Sequence, residues 1–442
     1  MEGLLYNSLL CTIIAALMAV VGQVGENVSL PLWLSAYPTL NDSTTHTEVS
    51  VDGYFVLTFA SFSFVVIFGV ITLVLVVWST FQSAGEKWIS STDYTFPQLE
   101  LFWIGFCDAL NGIMVVFAAS PERTSALLQT ILGNFMIPLT IILRFVLLKK
   151  KPNLFQFLTA LAVFGAIFFC LIPTFGNMDP SQVCAHSNNN NNSNNNNSNN
   201  SNSNNSNSNS TTGSGGESLA GRILWPLCFM FGFVPAALMN VLEERSLQRR
   251  HGVRRGQINL FFFLFCTSCY QLLTGLALFW ADIIPGFGMS TSMKNFGENY
   301  HFGLSCFFGG DGCGSGTGVR GFLFIFFYAV SYIGGGLLLR YSDGATFLAV
   351  VSAMVTPLGF LFWTLFQQPP CQFSFYPNAN KTTWFSLGGI VVMVPCVLLY
   401  NLQKAKKSPE TDKLLGNDSG NSSEEYKGFS VNPNYVSGSG QY

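Results

Sequence analysis

The sequence has few charged residues: Asp, Glu, Lys and Arg together make up 10% of its 442 positions. A soluble domain carries about 25% of such residues, so a surface that lies mostly in water is excluded. Histidine is also scarce, with four copies, which argues against a histidine-rich metal cluster or catalytic site. The formal net charge of −2 gives no reason to expect nucleic acid as a partner. Because 49% of the residues are hydrophobic, the composition instead indicates an integral membrane protein.

Ten apolar stretches are long enough to cross a bilayer, which takes about 20 residues of helix. They are residues 4–22, 54–78, 100–119, 126–148, 154–173, 223–241, 257–284, 321–339, 345–366 and 384–402. The first resembles a signal peptide in length, but no Lys or Arg precedes it and no clear cleavage site follows it. We therefore expect an all-α integral membrane protein with ten transmembrane helices.

The distribution of Lys and Arg predicts the orientation, because cytosolic connections are enriched in these residues. With a cytosolic N-terminus, fifteen of them lie in cytosolic segments and five on the opposite, lumenal side. Arg144 lies inside the fourth span, close to its cytosolic end. Three N-glycosylation sequons, at Asn27, Asn41 and Asn380, fall on the lumenal side. Both chain termini are thus predicted to be cytosolic.

Four of the eleven cysteines lie outside the spans, and all four fall on the lumenal, oxidising side. Cys306 and Cys313 flank a Gly-rich stretch that would bring them together, so we expect a disulfide there. Sequence alone leaves the choice of partner open, with Cys184 and Cys371 as the other candidates.

The chain divides into two halves of five spans each, residues 1–173 and 222–402. The connection between them, residues 174–221, includes a stretch of only Asn and Ser that is predicted to be disordered. Residues 403–442 form a polar tail that is also predicted to be disordered. Because five is odd, the halves enter the membrane from opposite sides, so a repeat would be inverted, as in secondary transporters.

A matched pair of prolines supports such a repeat. Pro138 follows Ala126 by twelve residues in span 4, and Pro357 follows Ala345 by the same distance in span 9. A proline inside a span frees a backbone carbonyl, commonly toward a cavity, although a kink for packing is the alternative reading.

Polar residues inside the spans mark a candidate transport cavity. Asp108 lies near the centre of span 3, with Asn111 on the same helical face. A carboxylate at that depth is costly and by default faces a water-filled path, which makes Asp108 the candidate for proton or cation coupling. A neutral Asp108 that is hydrogen-bonded between helices is the alternative. The remaining candidates for the cavity are Gln129, Asn134, Pro138, Ser331, Ser352, Thr356 and Pro357.

A second candidate site lies where span 6 meets the cytosol, at Asn240, Glu243 and Glu244. The conservative interpretation is a solvated helix end whose carboxylates pair with the arginines of the following loop. The alternative interpretation is a cytosolic gate that opens and closes as those ion pairs break and form again.

In their order and spacing, these motifs resemble the chloroquine-resistance-transporter-like (CRT-like) branch of the drug/metabolite transporter superfamily. The residues that carry the resemblance are Asp108, Gln129 with Ile137 and Pro138, Asn240 with Glu244, Asn259, the stretch 350–357, and the paired-cysteine loop between spans 7 and 8. The resemblance covers most of the chain from span 3 onward.

The resemblance implies a ten-helix carrier with a 5+5 inverted repeat in a digestive-vacuole, lysosome-like or plastid membrane. Such carriers move amino acids, peptides, thiols or organic cations, often with a proton gradient. Asp108, Pro138, the glycines at 334–336 and Pro357 would then line the central cavity. Better-studied members carry four cysteines in the loop between spans 7 and 8, whereas this loop has two, so a second disulfide there is absent or uses Cys371 or Cys184.

The tail carries short stretches that resemble sorting signals. Glu410 with Leu414 and Leu415 resembles an acidic dileucine signal, and Tyr426 with Phe429 resembles a tyrosine-based one. Sorting adaptors read such signals, so they favour a vacuolar or endolysosomal address without altering the topology.

The sequence therefore predicts a secondary active transporter of small nutrients in that membrane, working from lumen to cytosol, coupled to protons, and helping the osmotic balance of the vacuole. Its predicted partners are the solute, protons, the lipid bilayer and sorting adaptors, with no cofactor and no metal. A nucleotide-sugar carrier is the nearest alternative, but a polyanionic substrate would need Lys or Arg in the cavity. A receptor or scaffold without transport is a further alternative, and an enzyme is disfavoured because no span contains histidine.

Overall fold

Helices dominate the fold because a backbone in lipid can satisfy its amide groups only within its own segment. The α-helices are α1 (Glu2–Leu34), α2 (Gly53–Phe81), α3 (Gln98–Ala118), α4 (Ala126–Leu132), α5 (Met136–Leu148), α6 (Leu154–Phe175), α7 (Leu219–Gln248), α8 (Leu260–Ala277), α9 (Met293–Phe307), α10 (Thr317–Tyr341), α11 (Ala345–Ala353), α12 (Val355–Leu365) and α13 (Thr383–Val392). Two strands, β1 (Leu40–Asp42) and β2 (Thr47–Val49), form a short antiparallel hairpin that the all-α prediction did not include.

The structure is a computed structural model. It describes residues 2–37, 40–42, 47–49, 53–81, 96–120, 123–149, 154–175, 219–248, 258–310, 313, 316–341, 344–366, 373–377, 381, 383–392 and 395. The Asn/Ser-rich stretch and the tail with its sorting-like signals lie outside these ranges, as does Asn380. The described helices, which come from both predicted halves, belong to one compact unit.

Eight of the ten predicted spans coincide with helical segments that are long and apolar enough to cross a membrane. The fifth predicted span lies on α6, a helix of 22 residues, and the tenth is described over the ten residues of α13. The chain is therefore a multi-pass membrane protein, and its lipid-facing surface is apolar, with side chains such as Leu73 and Val146 about 60% exposed.

The first helix is longer than predicted. The hydropathy pattern ends span 1 at residue 22, but α1 continues to Leu34 and carries Glu26 and Asn27 in its interior. This correction moves Asn27 from a lumenal connection, where a sequon is accessible to glycosylation, into a transmembrane helix.

Spans 4 and 9 are both broken helices, and they break at equivalent places. A 3₁₀ turn at Gly133–Phe135 separates α4 from α5, and Met354 separates α11 from α12. Pro138 and Pro357 each occupy the third position of the second segment, a first-turn position where the missing N–H would have no helical partner. The equal spacing of the two prolines therefore corresponds to a second helical segment that starts two residues before each proline.

Helices from the two halves of the sequence interlock rather than forming separate bodies. The most extensive helix contact joins α1 to α10, followed by contacts of α3 with α7 and of α3 and α2 with α8. At the α1–α10 contact, a Cβ added to Gly22 would lie 2.5 Å from the Ser331 nitrogen, and one added to Gly334 would lie 2.5 Å from the Ala19 nitrogen. Glycine is thus needed at both positions for the backbones to approach.

Candidate functional site

A polar cavity of about 160 Å³ lies in the middle of the helices; we call it the central cavity. Its walls come from α1, α3, α7, α10 and the two broken spans. Three carboxylates line it, Glu26, Asp108 and Glu243, and no Lys or Arg occurs among its lining residues. Its size suits a small solute or several water molecules.

Asp108 occupies the predicted place in the membrane. It lies ten residues from either end of α3, about 15 Å along the axis, and is 5% exposed. The Tyr332 hydroxyl on α10 donates a hydrogen bond to Oδ2, whereas Oδ1 is buried without a hydrogen-bond partner. A carboxylate with one oxygen unsatisfied in a buried position favours binding of a proton or a cation.

Glu26 is the site residue that sequence reasoning missed, because it lies beyond the predicted end of span 1. Its side chain is half-buried on the cavity wall, and its Oε2 is shielded from solvent without a hydrogen-bond partner. The Ser331 hydroxyl lies beside the carboxyl group, and Asp108 acts on it electrostatically. The signal available in the sequence was a carboxylate only four residues past an apolar run, within reach of one more helical turn.

Glu243 also belongs to the cavity. Its prediction as part of a solvated helix end is corrected, because α7 continues to Gln248 and leaves Glu243 only 6% exposed. Asp108 acts on it electrostatically. Its neighbour Asn240 is also 6% exposed and lines the same cavity.

Glu244 points away from the central cavity and forms a buried ion pair. The Arg144 Nη2 atom on α5 donates to Glu244 Oε1 at 2.5 Å, and the Ala345 nitrogen donates to Oε2 at 3.0 Å. Span 4 therefore supplies one partner of Glu244, while Arg249, Arg250, Arg254 and Arg255 of the expected loop lie outside the described residues. Glu244 also accepts from the first turn of α11, where a carboxylate is favoured by the helix dipole. One side chain of α7 thereby ties together α5 and α11.

The two broken spans meet at their breaks. Asn134, in the 3₁₀ turn, donates from Nδ2 to Thr356 Oγ1 at 2.5 Å, and Thr356 in turn donates to the Thr130 carbonyl at 3.4 Å. Ser352 lies on the same cavity wall, and its Oγ is buried without a hydrogen-bond partner. The breaks therefore supply polar groups to the cavity from both halves of the sequence.

A second cavity of about 90 Å³ adjoins the first; we call it the second cavity. Five residues line both cavities: Glu26, Asn27, Asn111, Phe233 and Tyr328. The second cavity extends toward the end of the helices predicted to be lumenal, where Leu30 and Gln271 line it. No Lys or Arg occurs among its lining residues either.

Most of the predicted cavity residues line these two spaces. Asp108, Asn111, Asn134, Ser331, Ser352 and Thr356 line the central cavity, and Gln129 lines the second cavity. Gln129 is also structural, since its Nε2 donates to the carbonyls of Ala119 at 2.8 Å and Thr124 at 2.7 Å. Pro138 and Pro357 line neither cavity, so their contribution is to the helix breaks.

The glycines at 334–336 have two roles that sequence reasoning treated as alternatives. Gly334 allows the close approach of α1 described above, whereas Gly335 and Gly336 line the central cavity.

The end predicted to be lumenal is closed by aromatic side chains. Trp33, fully buried near the end of α1, packs against Phe55, Phe307 and Phe324, with ring centroids 5.6–6.4 Å apart. Phe307 belongs to α9, an unpredicted helix whose N-cap is Ser292; the Ser292 hydroxyl accepts from the Asn295 nitrogen at 3.2 Å. The structure joins Cys306 to Cys313 by the expected disulfide at the end of this helix.

Three carboxylates that face one enclosed space create a strong demand for positive charge. Buried charges persist only when they are paired or neutralised, and the walls provide no Lys or Arg. No group of three or more His, Cys, Asp or Glu residues that could hold a metal ion occurs in the described part of the chain. The central cavity is therefore lined by more acidic than basic side chains.

These features define a multi-pass membrane protein with a carboxylate-lined cavity between broken helices, an arrangement typical of membrane transport proteins. A family model described as "CRT-like, chloroquine-resistance transporter-like" matches residues 44–192. Among curated proteins of Dictyostelium discoideum, Crt homolog 1 is 24% identical over 226 residues, Crt homolog 3 is 24% identical over 184, and Crt homolog 2 is 31% identical over 132.

These matches cover 51%, 42% and 28% of this chain and 37%, 29% and 25% of the respective relatives. The matched part of the chain thus spans little more than a third of the length of these relatives, or less. The family model and the three relatives agree, and they confirm the resemblance to the CRT-like family that was drawn from the sequence motifs.

Proposed function

We propose that this protein is a secondary active transporter of small nutrients: amino acids, peptides or organic cations. In this proposal it resides in a vacuolar or endolysosomal membrane and moves its solute from lumen to cytosol together with protons. Removal of such solutes would help the osmotic balance of the vacuole. The word "transporter" in the name of the matching family supports this class of function.

The observation that carries the proposal is the central cavity with three carboxylates and no lining Lys or Arg. A positively charged or zwitterionic solute gains Coulomb energy there, whereas a polyanion is repelled. This charge disfavours the alternative of a nucleotide-sugar carrier. A receptor or scaffold has no evident need for three carboxylates around one cavity between transmembrane helices, where a buried charge is costly.

Asp108 is the proposed coupling residue. It combines central depth, burial and one oxygen without a hydrogen-bond partner, the features expected of a group that loses and gains a proton during transport. Asn111, Asn134, Ser352 and Thr356 are the proposed neutral polar contacts for the solute.

Two closures, one at each end of the helices, would open in turn, so that the central cavity is reached from one side of the membrane at a time. At the end predicted to be cytosolic, the Arg144–Glu244 pair ties α5 to α7 next to Asn240 and Glu243. At the opposite end, the aromatic side chains around Trp33 close the path above the second cavity. We infer that the solute enters when one closure opens while the other holds.

Two further parts of the proposal rest on sequence alone. The sorting-like signals at Glu410, Leu414 and Leu415 and at Tyr426 and Phe429 favour the vacuolar or endolysosomal address and recruitment of sorting adaptors. The sequons at Asn41 and Asn380 remain the candidates for glycosylation on the lumenal side, with Asn41 in β1.

The test is solute uptake by the purified full chain in proteoliposomes with an imposed pH gradient. We expect uptake by the native protein to follow the gradient and Asp108→Asn to abolish that dependence. Glu298→Gln is the matched control, since Glu298 lies on α9 in an exposed i,i+4 pair with Lys294 at 3.6 Å. Gradient-driven uptake by a folded Asp108→Asn variant at the native rate would contradict the coupling role.

A further inference from the structure

Carrying a proton and a cationic solute together places two positive charges in one cavity. A single buried carboxylate neutralises only one of them, and the second would remain uncompensated, which is unfavourable in a buried site. Sequence reasoning placed one carboxylate in the cavity, Asp108, and the structure adds Glu26 and Glu243. We propose that Glu26 binds the cationic group of the solute while Asp108 carries the proton. This inference rests on the proposed function.

The surroundings of the two carboxylates differ in the way this division requires. Asp108 is 5% exposed, and one of its oxygens accepts from Tyr332, so its remaining oxygen is suited to a proton. Glu26 is half-buried, lines both cavities and has Oε2 free of hydrogen bonds. A solute arriving through the second cavity therefore meets Glu26 before it reaches the central cavity.

The walls around Glu26 also suit an organic cation. Phe233 and Tyr328 line both cavities together with Glu26. Aromatic faces attract organic cations through the ring quadrupole, and the amide of Asn27 adds a polar group to the same walls. A carboxylate flanked by aromatic rings thus recognises positive charge without requiring one solute shape.

The position of Glu26 is fixed by tight packing. Gly22, one turn earlier, lies against the Ser331 backbone, and a Cβ added to Gly25 would lie 2.2 Å from the Phe327 ring. These contacts hold α1 against α10, so Glu26 keeps its place relative to Ser331 and Tyr328. The titratable groups facing it are Asp108 from α3, Glu243 from α7, and Tyr328 and Tyr332 from α10.

The experiment compares two solutes that differ in net charge but little in size, radiolabelled arginine and citrulline, in proteoliposomes of the full chain. We expect the native protein to prefer arginine. Glu26→Gln should reduce this preference by about tenfold or more, mainly by raising KM for arginine, because a hydrogen bond to a charged group is lost. Its uptake should still follow the pH gradient. Asp108→Asn should show the reverse: no gradient dependence, but retained exchange of arginine for arginine.

Two variants provide the controls. Glu26→Asp keeps the charge and should retain most of the preference, and Glu298→Gln should behave as the native protein. A folded Glu26→Gln variant with an unchanged preference overturns this inference, as does a native protein that does not prefer arginine over citrulline. Native protein that moves neither solute along the pH gradient overturns the proposed function itself, so the two failures are distinguishable.

Discussion

For the buried ion pair between Arg144 and Glu244, we predict that losing the arginine lowers the stability more than losing the charge of the glutamate. Arg144→Met would remove the arginine cation that contacts the Glu244 carboxylate, which is 1% exposed, and breaking a buried pair in this way costs about 3–5 kcal/mol. Glu244→Gln leaves Arg144, which is 12% exposed and one turn from the end of α5, where its charge can reach water. It also keeps an oxygen for the Ala345 nitrogen. Its expected cost is about 1.5–3 kcal/mol.

The measurement is a double-mutant cycle on thermal unfolding of the purified protein in detergent, with Arg144→Met, Glu244→Gln and the combined variant. The arginine variant should be the less stable of the two, with an unfolding midpoint lower by several degrees. The double variant should be more stable than the sum of the single effects predicts, by about 0.5–3 kcal/mol, because both charges are then absent. Equal single effects that add in the double variant would refute the reasoning.

Two further predictions concern packing and the helix breaks. Gly22→Ala should lower the unfolding midpoint, because its Cβ would lie 2.5 Å from the Ser331 nitrogen, whereas Gly165→Ala, with nothing within 4 Å, should be neutral or stabilising by about 0.5–1 kcal/mol. An equal response of the two glycines would contradict the close α1–α10 contact. Thr356→Val should cost about 1–3 kcal/mol, because the buried amide of Asn134 loses one of its two acceptors and keeps only the Ile131 carbonyl, while Thr356→Ser should be tolerated. Thermal unfolding of the two variants measures both effects.

The broken helices show what sequence reasoning can predict. A proline twelve residues after an alanine, in two spans, was enough to mark matched positions of altered helix geometry, because a proline removes a backbone hydrogen bond whatever surrounds it. The depth of Asp108 was predictable for a similar reason, since it depends on counting residues along one helix. The contact between Asn134 and Thr356 was not, because it joins residues 222 positions apart.

The end of α1 shows why other parts could not be predicted. A hydropathy pattern assumes that a transmembrane helix faces lipid, so it stops when polar residues such as Gln23, Glu26 and Asn27 appear. These residues stay in the helix because they face a polar cavity formed by distant segments. The same assumption placed Glu243 in solvent. Sequence reasoning therefore failed where the cavity replaces lipid or bulk water as the environment of a side chain.

The interlocked helices bear on how binding of a proton could be coupled to movement. Because α1 packs most extensively on α10, while α3 packs on α7 and α8, rocking of two sequence halves as rigid bodies would break the largest contacts in the fold. Movement of the α1–α10 pair relative to α3, α7 and α8 preserves them. The Tyr332–Asp108 hydrogen bond links these two groups across the central cavity. A proton on Asp108 would turn this charge-assisted bond into a neutral one of about half the strength, and would thereby loosen the link when the coupling ion binds.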